Sequence, residues 1–120
     1  MDIDDEIDDK FYMLSLHESQ VYEWLPFTKG TLDQVPETAE ARLEWLHEPR
    51  IPRDGTPIDE AFLSKSLIGA QSEYREAKPA VVNRAQLVQR YGEAGAKTLF
   101  AEVFGSCEYG APYSDELIPF

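Results

Sequence analysis

The stretch TLFAEVF, residues 98–104, is the part of this sequence on which a fold assignment turns. It is short, rich in aromatic and β-branched side chains, and bounded by the glycines of GEAGA and GSCEYG, which is how a strand is written. Everything before it reads as helix and loop. A single strand leaves its backbone donors and acceptors without a ladder. The expectation is therefore a sheet supplied by other residues, in another molecule or in a longer parent chain.

Working back from that strand, residues 80–91 read as a helix ending at Gly92, a suitable residue for the position just past a helix end. Pro79 separates it from a helix that opens at Thr56-Pro57-Ile58-Asp59 and reaches Lys78. EPRIPRDGTP, residues 48–57, holds three prolines and a glycine and reads as a loop. A shorter helix is predicted from Pro36 to His47, with Ala39, Leu43 and Leu46 as its apolar side. The opening MDIDDEIDD carries six acids in nine residues, yet Ile3, Ile7, Phe11, Leu14 and Val21 recur at helical steps, with His17 filling the gap. This predicts a helix over residues 4–24, its acids facing the positive end of the helix dipole and Pro26 and Gly30 ending it. Beyond the strand, residues 105–120 read as an irregular tail pinned by Tyr109, Tyr113 and Phe120.

Composition bounds the function. The chain has 120 residues, enough for one domain, and 42% are apolar, typical of a globular protein. Eleven basic residues against 23 acidic ones give a net charge of −12, which argues against nucleic acid as a partner and against a basic membrane-surface helix. No apolar run approaches the length of a membrane span. Cys107 stands alone, so no internal disulfide forms, and with no basic start before an apolar core the expected compartment is the reduced cytoplasm.

His17-Glu18 begins the metalloprotease pattern H-E-x-x-H, but the second histidine would fall at Val21. Catalytic zinc takes three protein ligands, and this chain has only His17 and His47, on separate predicted helices. No G-x-S-x-G is present, and Cys107 has no basic neighbour to activate its thiol. No catalytic residue and no metal ligand is assigned. His17 and Gln20, three apart, share a helical face with Met13 and Trp24. Two readings stand: they tie their helix to a neighbouring loop through hydrogen bonds, or they look into a pocket whose other wall lies outside this chain.

Taken in order, H-x-S-Q at His17 to Gln20, Arg42 with Trp45-Leu46, E-Y-R at Glu73 to Arg75, RYGE at Arg90 to Glu93, AEVF at Ala101 to Phe104 and CEYG at Cys107 to Gly110 resemble the C-terminal portion of PIG-L/LmbE-like N-deacetylases. The resemblance runs from about Asp2 to Phe120 and is patchy between residues 47 and 70. It implies a Rossmann-like α/β parent fold, of which this chain is a mainly α-helical segment, residues 1–120, with one short C-terminal strand and an irregular tail. It also implies a zinc-dependent deacetylase acting on N-acetylglucosamine-type sugars, in which a metal-bound water attacks the amide with a carboxylate as base. The family's A-H-P-D-D-like motif has no counterpart in this sequence, so none of its ligands is carried over and the chain is expected to be inactive alone. What carries over is position. His17, Gln20 and Glu102 are candidates for the wall of a substrate pocket, and Ala101-Glu102 matches a strand closing the sheet. The implied partners are the catalytic portion of a deacetylase or another copy of the chain. A stand-alone acidic helical module that binds a protein partner is the alternative.

Overall fold

The apolar stripe of the first predicted helix lands on the core. Ile3, Ile7, Phe11 and Val21 are buried and Leu14 packs against them. A computed structural model describes residues 1–64, 72–105 and 109, and within these the chain is mainly helical. The path over residues 4–24 is not one helix, however. A 3-10 turn at Asp4–Glu6 leads into α1 (Ile7–Ser15), and the chain breaks at Leu16-His17. It then re-forms as a π-helical turn (Ser19–Trp24) continuous with α2 (Leu25–Lys29).

Pro26 accounts for the π turn. Proline brings no N–H and its ring crowds the preceding turn, so the helix widens there instead of ending. The Leu25 N–H reaches back five residues to the Gln20 carbonyl. Termination falls to Gly30 at φ 69°, where the Thr31 N–H returns to Pro26 O at 2.9 Å and the Gly30 N–H to Phe27 O at 3.1 Å, closing a Schellman turn.

After a 3-10 turn (Leu32–Gln34) comes α3 (Ala39–His47). It starts at Ala39 rather than at Pro36, because Thr38 caps it, its Oγ1 accepting from the Ala41 N–H at 3.2 Å. Similarly Asp59, not Thr56, caps α4 (Glu60–Leu63), accepting from the Phe62 N–H at 2.7 Å. The predicted stretch from there to Lys78 crosses residues 65–71, outside the described residues. Pro79 does not divide the helices: α5 (Glu73–Val82) runs through it. The break comes at Asn83, whose side chain donates to the Pro79 carbonyl at 2.9 Å. There α6 (Arg84–Tyr91) begins, ending as expected at Gly92 with φ 63°. GEAGA, read as a boundary, instead forms α7 (Glu93–Lys97), folded back on α6. Gly95 permits the approach, because a Cβ there would overlap the Leu87 carbonyl.

The predicted strand at residues 98–104 is the main correction. Among the described residues no strand forms; the segment is extended and makes one antiparallel bridge, Ala101 with Asp2. Ile3 N–H donates to Phe100 O at 3.1 Å and Glu102 N–H to Met1 O at 2.9 Å. The Asp4 carboxylate accepts from Leu99 N–H at 3.0 Å and Phe100 N–H at 2.6 Å, and Asp2 accepts from the Thr98 hydroxyl at 2.7 Å. These donors find partners in the first four residues, so the segment needs no further sheet to satisfy them. It also means that the acidic opening is structural: Asp2 and Asp4 hold the far end of the described chain.

Phe11 and Phe100 are fully buried in the main core with Tyr22, Leu46, Ile51 and Ala77, and Ala80, Leu87 and Ala101 form a smaller cluster beside it. No helix among the described residues is long and apolar enough to cross a membrane. The expected tail contacts of Tyr113 and Phe120, and the loop of Cys107, lie outside the described residues, while Tyr109 is 91% exposed.

Candidate functional site

Two places gather polar chemistry. The first is built from helix ends. His47 closes α3, Glu73 opens α5, and Arg50, Ile51 and Arg53 lie on the connection. Glu73 is fully buried. Its Oε1 lies 3.0 Å from His47 Nδ1, 3.2 Å from Arg50 Nη1 and 3.3 Å from Arg53 Nη2, and its Oε2 accepts from the Ile51 N–H at 2.8 Å. A carboxylate only accepts, so Nδ1 is the donating nitrogen of His47. The imidazole stacks on Phe11, ring centroids 4.2 Å apart, and Arg53 covers the Phe100 ring at 4.8 Å. A histidine held by a buried carboxylate is the orienting half of a general-base arrangement. Here both members are buried, and the bonds described join α3, the connection and α5.

The second place is an open cleft of about 660 Å³ between α6 and the extended segment. Leu87, Tyr91, Ala101, Val103 and Phe104 give it apolar walls, with Asn83, Gln86, Arg90 and Glu102 as polar groups. Its outer lip is exposed: Val103 is 62% and Phe104 66% accessible. Glu102 is held by Lys10, whose Nζ contacts Glu102 Oε1 at 2.9 Å and Glu76 Oε2 at 2.6 Å. Burial works against the Lys10 ammonium, but its hydrogen bonds to Glu76 and Glu102 outweigh this and raise its pKa above the usual lysine value. For Asp4 burial is the dominant influence. It lifts the carboxyl above its ordinary value despite the two N–H donors of Leu99 and Phe100.

Of the three pocket-wall candidates, Glu102 does line a cleft. His17 and Gln20 do not line it; both side chains are exposed where the chain leaves α1. The backbone of His17 does the local work, its carbonyl receiving the N–H groups of Gln20 at 3.0 Å and Val21 at 2.9 Å. Sequence reading named Glu73 only as the start of the E-Y-R element and gave it no structural role. The available signal was its place at a helix start, after a loop bearing Arg50 and Arg53 and a helix ending in His47.

A zinc centre does not fit these residues. Among the described ones no group of three or more His, Cys, Asp or Glu side chains could hold a metal ion, and the two imidazoles are apart in environment, His17 exposed and His47 buried against Glu73. Compared with protein-family models, with curated proteins and with solved structures, the chain has no match.

Proposed function

We propose that this chain corresponds to the C-terminal portion of a PIG-L/LmbE-like N-deacetylase of N-acetylglucosamine-type sugars, whose parent fold is a Rossmann-like α/β sheet. The observation that carries the reading is the order of its motifs, H-x-S-Q at His17 to Gln20, RYGE at Arg90 to Glu93, AEVF at Ala101 to Phe104 and CEYG at Cys107 to Gly110. The extended course of residues 98–105 beside a cleft supports it, since such a segment can take a further strand along its open edge. In this reading Glu102 and the cleft belong to the pocket wall, and His17 and Gln20 meet the catalytic portion. Metal and general base come from that portion, and no step through zinc is assigned to residues of this chain. Two measurements test it. The purified chain, dialysed against zinc, should retain no stoichiometric metal and release no acetate from N-acetylglucosamine derivatives. The DNA before codon 1 should encode an A-H-P-D-D-like motif, in frame or just out of frame; its absence counts against the reading.

A stand-alone acidic interaction module is the second reading. One observation favours it: the Thr98 hydroxyl and the N–H groups of Leu99, Phe100 and Glu102 are taken up by Asp2, Asp4 and Met1 of the same chain.

A further inference from the structure

α1 buries one side and shows the other. With Ile7 and Phe11 in the core, the opposite arc carries two rows at four-residue spacing, Asp8-Tyr12-Leu16 and Asp5-Asp9-Met13. After the break, Glu23 and Phe27 stand four apart and Trp24 and Phe27 three apart on the next helical run. Tyr12 is 56% exposed, Met13 59%, Leu16 65%, Trp24 57% and Phe27 66%. Single exposed apolar residues are ordinary in soluble proteins. Here five large ones fall on two consecutive helical runs, Tyr12, Met13 and Leu16 on the first and Trp24 and Phe27 on the second, and such concentrations of exposed apolar side chains are what protein partners use.

The charges on these runs say what covers it. Asp5, Glu6, Asp8, Asp9, Glu18 and Glu23 are all exposed there, and Lys10, the only Lys or Arg before Lys29, is engaged by Glu76 and Glu102. A second copy would bring the same acids against them, in a chain of net charge −12. An anionic lipid surface would be repelled for the same reason. We infer that the outer face of α1 and α2 binds a cationic amphipathic segment of a partner protein, with apolar side chains meeting Tyr12, Met13, Leu16, Trp24 and Phe27 and Lys or Arg side chains meeting the acids between them. The inference does not use the deacetylase reading, and its test involves no acetate release, so the two fail separately.

The test titrates the full chain into a fluorescently labelled amphipathic helix of leucine and lysine, with a scrambled peptide of equal composition as control, and follows anisotropy. The ordered peptide is expected to bind at least about tenfold more tightly than the scrambled one, a difference set by the apolar area buried. Leu16→Ser with Phe27→Ser should weaken it about tenfold, and Asp8→Asn with Asp9→Asn several-fold at low salt only. Circular dichroism melting checks that each variant folds, and Tyr12→Ser with Met13→Ser replaces the first pair if it does not. Equal binding of both peptides, or binding indifferent to the apolar substitutions, would mean charge attraction alone and would overturn the proposal. So would sedimentation showing a dimer that Leu16→Ser dissociates, or uptake of the chain by phosphatidylcholine vesicles, since either gives the face another occupant.

Discussion

Glu73 and Asp4 are both carboxylates that fasten distant parts of this chain, yet they do so in different surroundings. Glu73 is fully buried and is reached by the guanidinium groups of Arg50 and Arg53, the His47 ring and one backbone N–H. Asp4 is half-buried and takes mainly the N–H groups of Leu99 and Phe100. Removing Glu73 leaves Arg50 and Arg53 with access to water but strands the buried His47 Nδ1 and the Ile51 N–H, whereas Asp4 answers to two backbone N–H groups at a half-buried position. The first arrangement locks the middle of the fold and the second holds its ends together.

Breaking the Glu73 cluster should therefore have the largest effect. Glu73→Ala is expected to lower stability by about 1–3 kcal/mol for each of the two buried donors it strands, His47 Nδ1 and the Ile51 N–H, read as a fall in the urea midpoint, with Glu73→Gln losing less because it keeps two hydrogen-bonding positions. Asp4→Ala should cost less, about 1–3 kcal/mol. Its signature is local: amide exchange should accelerate at Leu99 and Phe100 more than at Ile51.

Titration sharpens the contrast between Asp4 and Lys10, which grip the same segment. The folded-state pKa of Asp4 is raised from 3.8. Its contribution is thus fully present below the unfolded value and is lost as pH rises through the folded one. Relative to Asp4→Asn, the wild type should gain stability on acidification toward pH 3.8. Lys10 is also raised, from 10.5, so its contribution persists below that value and disappears as pH climbs past the folded pKa. Relative to Lys10→Met, the wild type should lose its advantage only in strongly alkaline solution. Stability differences that stay flat with pH would remove both assignments.

The smallest effect is expected where no internal partner is at stake. His17→Ala and Gln20→Ala should each shift stability by no more than about 0.5 kcal/mol, the range of exposed substitutions. A larger loss in chemical denaturation would show that these side chains tie the helix to its neighbours after all.

The core stripe Ile3, Ile7, Phe11 and Val21 was legible because helical burial leaves a period in the sequence. Gly30 and Gly92 were legible as ends because their positive φ angles suit glycine. Two prolines misled in the same way: Pro26 and Pro79 were read as stops, but a widened turn and a later break at Asn83 accommodate them. Of the three residues read as a pocket wall, Glu102 is the one that lies beside the cleft. The Glu73 cluster was not legible, because its partners lie 20 to 26 residues away and carry no spacing rule.

By itself the sequence determined the mainly helical character, the buried stripe of α1 and the acidic surface, since these depend on side-chain period and composition. Tertiary structure alone decided which of the 23 acids are structural and where the extended segment finds its partners. Asp2 and Asp4 are indistinguishable from Asp5 and Asp8 until the chain folds back and brings Thr98, Leu99 and Phe100 within hydrogen-bonding distance. A backbone donor has no sequence signature, so what satisfies it is settled only by contact across the fold.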